Sequence, residues 1–411
     1  MNSPTGALTH EGDGDGPGDT VAIWLLAVGQ TLGFATLLYI FGALIVQFEV
    51  GLGWSKASLS FGPTGTLIVS AMVAPVMGRL VDKGYGGGLL WGGALFGGAV
   101  LVAISSVTTW PAWVALWALL GVAHAASLYD VCFAFLTRRL GNVARAAIIR
   151  VTLVAGFASA LAFPLGALVS EAWGWRGAVL VFAAMQIGLT APLNWYAGVR
   201  LRRRARAGAS TQEADNGALH SALRRPEFWL LMAIFALSWM NHSMLVTYFI
   251  PIFTDLGASP VLAVAAASTV GPFQFVGRLL LMLNQTRVSA MFATSLAVGG
   301  LAVASTVLIA AGAAVSLIFL FAMLQGASIG LLSILRPVLC AEVLGRRGFG
   351  AITGVIAMGP LLATAAAPIA GALLQDNGGA LALLIGSLTF ALVAVALATL
   401  LRVRIKRLVR G

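Results

Sequence analysis

Arg278 stands in an apolar run, 261–283, with Gly277 before it and three leucines after it. A guanidinium does not shed its proton in proteins, so an arginine there needs an acidic partner, a water-filled cavity or an anionic ligand. Gln274 lies four residues earlier, one helical turn away on the same face. A guanidinium beside an amide suits a planar carboxylate, because the fork of N–H donors meets two oxygens at once. The competing reading is a cation neutralised by backbone carbonyls or by a structural acid on another helix.

Asp130 is the carboxylate that falls well inside an apolar stretch; the other acids fall at ends, loops or the first residues. Arg336 lies at nearly the same depth in the second half, since their offsets from Gly121 and Gly326 differ by one residue. An Asp130–Arg336 pair would be a clamp or a gate, and Asp130 could also load and release a proton as its partner changes. His124 and His242 have the chemistry to shuttle protons near neutrality, or else simply to hydrogen-bond a neighbouring helix. Tyr129 and Tyr248 either offer hydroxyls to a ligand or pack as ordinary aromatics. Met240 and Met244 share a helix face with His242 nearby, a soft set that could pass Cu(I); no further Met or Cys cluster completes it, and apolar filling is the plainer role. Cys132 and Cys340 both sit in apolar segments and read as packing residues. No metal site and no cofactor is expected.

The elements that must hold these groups follow from composition. Of 411 residues 59% are hydrophobic and only 9% charged, against about 25% charged in soluble domains, so the chain is an integral membrane protein. Apolar stretches near 21–46, 61–80, 89–107, 112–137, 146–169 and 177–199 are followed by a polar segment, then by stretches near 228–254, 261–283, 290–311, 314–340, 350–374 and 380–401. The expected organisation is an acidic, disordered tail over 1–20, a six-helix unit over 21–199, a linker over 200–227, a second six-helix unit over 228–404 and a basic tail over 405–411.

The net charge of +11 is not spread in nucleic-acid-like stripes. Arg79, Lys83, Arg138, Arg139, Arg145, the arginines of 200–225, Arg287, Arg346, Arg347 and the C-terminal cluster fall in alternate loops, while Lys56 and Arg176 fall in the others. By the positive-inside rule both termini are expected on the cytoplasmic side of a bacterial-type inner (plasma) membrane. The glycines at 84 and 86–88 lack the Gly-Lys-Ser/Thr ending of a phosphate loop, and no Ser/His/Asp set is evident, so neither nucleotide-driven pumping nor an enzyme is expected.

The halves echo each other. Gly78-Arg79-Leu80-Val81-Asp82-Lys83 ends the second stretch and Gly277-Arg278-Leu279-Leu280 falls near the end of the eighth. Parallel six-helix halves are one transporter architecture. At these residues the chain resembles the major facilitator superfamily: Gly78, Arg79, Asp82, Lys83 and Gly84 match its loop-two motif, and Gly174-Trp175-Arg176 after Glu171 matches its link between spans five and six. In that motif Asp82 is placed to accept bonds from the first amides of a neighbouring helix. Trp117 stands where the drug-efflux branches place an arginine four residues before Gly121, and Phe163 before Pro164 breaks the antiporter signature.

The segment from Gly53 to Phe61, with Tyr129 and Arg278, resembles the monocarboxylate and oxalate/formate porters. The second loop motif departs from the pattern, with Met282 for Gly and Thr286 for Asp. The resemblance implies twelve transmembrane helices in two pseudo-symmetric six-helix bundles, an all-α membrane protein. It implies secondary active transport of a small organic anion by alternating access, proton-coupled, with Tyr129 and Arg278 at the substrate carboxylate; the residue readings above add Gln274, Tyr248 and His242 around the substrate and Asp130, Arg336 and His124 in coupling or gating. The expected partners are the anion, protons and the lipid bilayer, with no nucleic acid or nucleotide, and a monomer as the functional unit. The alternatives are an organic-anion exchanger or efflux carrier, a Cu(I) transporter and a non-transporting sensor.

Overall fold

The computed structural model describes residues 17–208 and 217–410. Most of the segment expected as an acidic tail, and 209–216 of the expected linker, lie outside the described residues. Every regular element described is helical. The helices are α1 (Pro17–Leu37), α2 (Tyr39–Leu52), α3 (Lys56–Leu80), α4 (Gly86–Ser105), α5 (Trp110–Ser127), α6 (Tyr129–Leu140), α7 (Ala144–Ala155), α8 (Ala158–Met185), α9 (Ala191–Gly208), α10 (Ala218–Leu223), α11 (Pro226–Asp255), α12 (Pro260–Leu283), α13 (Ala290–Ala310), α14 (Leu317–Leu344) and α15 (Phe349–Arg410).

Nine stretches among the described residues are long and apolar enough to cross a bilayer. Three of them, Lys56–Ser105, Ala144–Arg202 and Phe349–Arg407, each hold two crossings that reverse at Gly84 (φ 96), Gly174 (φ 68) and Gly379 (φ 66). Only glycine adopts those angles without strain, which lets a reversal fit inside a nearly continuous helix. Counting both arms of each gives twelve crossings, six before the polar segment and six after it.

Helix also reaches beyond the expected boundaries. α9 runs on to Gly208, α10 lies inside the expected linker and α15 continues to Arg410. Arg404 on α15 donates to Glu227 Oε1 at 2.9 Å, tying the last helix to the start of α11.

Three crossings of the first half are broken. The first breaks at Leu38, the fourth at Leu128, whose ψ of −162 is extended, and the fifth at Gly156–Phe157. Gln30 meets part of the cost at the second break by donating to the Ser127 carbonyl at 2.8 Å. Such breaks survive in a membrane only where protein or an internal cavity takes up the freed backbone groups.

The two halves repeat one packing scheme. Gly121 on α5 backs onto the Thr66 carbonyl of α3 and Gly326 on α14 backs onto the Val270 carbonyl of α12, with no room for a Cβ at either. The shift is 205 residues from Gly121 to Gly326 and 204 from Thr66 to Val270. Ser55 caps α3 through Ser58 N at 3.2 Å, and Ser259 caps α12 through Leu262 N at 3.3 Å, again 204 residues on. This register places Arg278 opposite Ala74 and Gly78 opposite Met282. The sequence likeness of Gly277-Arg278 to Gly78-Arg79 is therefore offset by about one helical turn from the structural repeat, and the Met282 and Thr286 alignment is the structural one.

Hydrophobic packing divides the molecule by depth. At the end bearing the basic loops, one buried cluster runs through both halves and includes Val131, Phe135, Ile149, Phe235, Leu335 and Ile352. Toward the other end each half has its own core, around Phe48, Trp113 and Trp117 in the first and around Phe249, Phe253 and Phe321 in the second. The halves are thus welded at the basic end and separate at the opposite end.

Candidate substrate site and gate

Arg278 projects from α12 toward the break in the fifth crossing and is 7% exposed. Its Nη1 donates to the Thr152 carbonyl on α7 at 3.1 Å and its Nη2 to Gln274 Oε1 at 3.4 Å, while its buried Nε has no partner. Gly156 makes the space: a Cβ there would stand 2.7 Å from Nη1. Among the described residues no carboxylate pairs with this guanidinium. It spans the seam between halves with neutral acceptors and keeps one N–H unanswered.

The Tyr129 and Tyr39 hydroxyls both lie within electrostatic reach of Arg278. Each tyrosine opens a helix directly after a break, at Leu128 and Leu38 respectively. Both keep part of their surface accessible. Tyr129 is flanked by Phe34 at 4.2 Å and Phe133 at 4.6 Å between ring centres, and Tyr39 by Phe163 at 6.5 Å. Phe157, in the turn of the fifth crossing, meets Phe275 of α12 at 5.4 Å. Tyr39 is absent from the sequence-based site. A tyrosine in the middle of a long apolar run is the signal that could have found it.

Asp130 and Arg336 form an ion pair through Asp130 Oδ1 and Arg336 Nη2, joining α6 to α14 across the halves. Beside it lies a cavity of about 10 Å³, room for about one water, lined among others by Cys340, Phe349, Thr353 and Ile356. His124 accepts or donates through Nδ1 to Ser70 Oγ at 2.9 Å and lies within electrostatic reach of Asp130.

Further ties cross the halves at the same end. Arg145 on α7 donates to the Val288 carbonyl at 3.1 Å and approaches Glu342 at 3.8 Å. Asp82 accepts from the amides of Gly350 and Ala351 at 2.8 and 2.7 Å, capping α15, while Arg79 and Lys83 of the same motif are exposed. Gly78 lies directly against the Gly350 carbonyl, so α3 and α15 touch backbone to backbone.

The remaining expected site residues stand apart from Arg278. His242 Nδ1 meets Gln325 Nε2 at 3.4 Å, and Gln325 also donates to Asn241 Oδ1 at 3.0 Å. Tyr248 donates its hydroxyl to the Pro368 carbonyl at 2.9 Å, so it serves the kinked α15. Met244 is fully buried, and no cluster of three or more His, Cys, Asp or Glu side chains suited to a metal occurs among the described residues.

Two six-helix halves that share one hydrophobic cluster at one end and have separate clusters at the other are an architecture of multi-pass transporters. The family model of the Major Facilitator Superfamily matches residues 23–318, and the chain belongs to that superfamily. It is accordingly a transporter and not an enzyme. No curated protein matches the sequence. Among solved structures, it is similar to a transporter of this superfamily, FucP, in the outward conformation (TM-score 0.70, 12% identity, 93% of this chain and 99% of that chain). It is similar to the human organic anion transporter MFSD10 (TETRAN) (TM-score 0.71, 16% identity, 93% and 100%). It is also similar to a bacterial homologue of the iron transporter ferroportin in an outward-facing state with soaked iron (TM-score 0.73, 15% identity, 93% and 99%). These likenesses concern the fold.

Proposed function

We propose that the protein moves a small monocarboxylate-like organic anion across a bacterial-type inner membrane, coupled to protons, with both termini cytoplasmic and the monomer as functional unit. The observation that carries this reading is Arg278: a buried guanidinium at the seam of the halves, without an acidic partner among the described residues and with its Nε unpartnered. A carboxylate entering there replaces the Thr152 carbonyl and the loose Gln274 bond with charge-assisted ones, and Tyr39 and Tyr129 supply further donors.

The Asp130–Arg336 pair serves as the gate on the basic side. Protonation of Asp130, with His124 beside it, removes the attraction that holds α6 to α14 and lets the basic end open. With the basic end cytoplasmic, the arrangement described above faces outward. Asp82, Arg145 and the Gly78–Gly350 seam add to the same closure.

Uptake of a labelled monocarboxylate into proteoliposomes tests the proposal. An inward proton gradient is expected to drive accumulation that an uncoupler abolishes, and Asp130→Asn is expected to lose accumulation while keeping exchange. Failure of every organic anion to cross would overturn the proposal. Intact gradient-driven uptake in Asp130→Asn would remove Asp130 from coupling.

A further inference from the structure

Charge balance and ring placement around Arg278 narrow the substrate class, on the footing that Arg278 is the anion site. Arg336 is paired with Asp130 and Arg145 with Glu342, whereas among the described residues no carboxylate pairs with Arg278. One uncompensated positive charge buried in a low-dielectric seam is neutralised by one negative charge. A second would be stranded without a partner, which is costly at that depth.

The two tyrosines within electrostatic reach of the guanidinium stand among further rings. Phe34 lies 4.2 Å from Tyr129, Phe133 stacks on Tyr129 at 4.6 Å, and Phe163 lies 6.5 Å from Tyr39. Phe34, Tyr39 and Tyr129 all retain accessible surface. Phe34, Tyr39 and Tyr129 belong to the first and fourth crossings, close to the breaks at Leu38 and Leu128, so their rings sit where the helices are interrupted. Oxalate or formate has no apolar body to place against these rings. A planar aromatic acid presents its carboxylate to Arg278 and the tyrosine hydroxyls while its ring meets ring faces and edges, the arrangement aromatic groups favour.

We infer that the transported anion is a monoanionic acid with an aromatic body, seated with its carboxylate on Arg278 and its ring beside Phe34, Tyr39 and Tyr129. A minimal acid or a dianion uses only half of this site.

The test is equilibrium binding and thermal shift on the purified full-length protein with benzoate, acetate and oxalate, in the wild type, Phe34→Leu and Arg278→Lys. Benzoate is expected to bind about tenfold more tightly than acetate, in line with one to two aromatic contacts, with oxalate weaker than either. Phe34→Leu is expected to shrink the benzoate-to-acetate ratio, and the unliganded melting temperature checks that it folds. Acetate or oxalate binding as tightly as benzoate, with Arg278→Lys still abolishing it, overturns the aromatic assignment and leaves the anion site standing. A benzoate preference unmoved by Phe34→Leu overturns the placement of its ring. Binding that ignores Arg278→Lys, or no binding of any of the three, overturns this inference and the proposed function together.

Discussion

The two seams between the halves are built from opposite materials. At one, α3 meets α15 with Gly78 against the Gly350 carbonyl and Gly354 against Ala74, leaving no space for a single methyl. At the other, in the equivalent place of the repeat, α12 meets α7 through Arg278, and Gly156 is empty so that a guanidinium fits where the first seam has backbone. Backbone contacts at that distance neither stretch nor swap partners, so the first seam is suited to act as a pivot. A long cation bonded to one carbonyl and one amide changes partners at small cost, so the second is suited to respond to a ligand. One packing arrangement, repeated about 204 residues on, is thus closed by backbone on one side and by a guanidinium on the other.

Equal substitutions should expose that difference. Gly78→Val is expected to have the largest effect, about 3 kcal/mol or more of lost stability, because a side chain there meets backbone that cannot yield. Its readout is a collapse of the melting transition and of the yield of folded protein. Retention of wild-type stability would mean that this seam is looser than described.

Next is the gate that both seams flank. Asp130→Asn leaves Arg336 without its counter-charge, and the basic end should open more often, with Cys340 beside the pair as a native reporter. In a Cys132→Ser background, maleimide labelling of Cys340 is expected to rise about tenfold, the change produced by roughly 1.4 kcal/mol in a two-state equilibrium. Unaltered labelling would remove the pair from gating.

Gly156→Val should be milder for the fold and selective for the ligand. The intruding side chain meets the Arg278 guanidinium first, at 2.7 Å, and the Leu153 carbonyl only at 3.2 Å, so the melting temperature should fall less than in Gly78→Val while anion affinity falls about tenfold. A loss of stability comparable to that of Gly78→Val would erase the distinction between the seams. Asp82→Asn should be the smallest, a loss of about 1 kcal/mol from weakened capping of α15, visible as a drop of a few degrees in melting temperature.

Much of this organisation was legible in the sequence. Apolar length and the alternation of basic loops depend on the bilayer alone, which acts on every crossing alike, and they placed the twelve crossings. Arg278, Asp130 and Arg336 stood out because charge is expensive in hydrocarbon wherever the helix turns. The pairing of Asp130 with Arg336 followed from their matching depths.

The breaks at Leu38, Leu128 and Gly156–Phe157 did not show. Leucine and phenylalanine carry no conformational signature, and these interruptions depend on tertiary partners such as Gln30. Tyr39 was missed for the same reason, since its position at a break is what brings it toward Arg278. Helix register between the halves was also misread by about a turn, because Gly277-Arg278 resembles Gly78-Arg79 locally while the repeat is set by close contacts such as Gly121 with Thr66 and Gly326 with Val270. Tyr248 and His242 have the right chemistry for a substrate site but are engaged elsewhere, by Pro368 and Gln325.

The most direct measurement is the affinity of the purified protein for a monocarboxylate in the wild type and in Arg278→Lys. Lysine keeps the charge and loses the fork, so affinity should fall at least about tenfold while the unliganded protein melts as before. Equal affinity in the two proteins would place the anion elsewhere and leave Arg278 as a strut between α12 and α7.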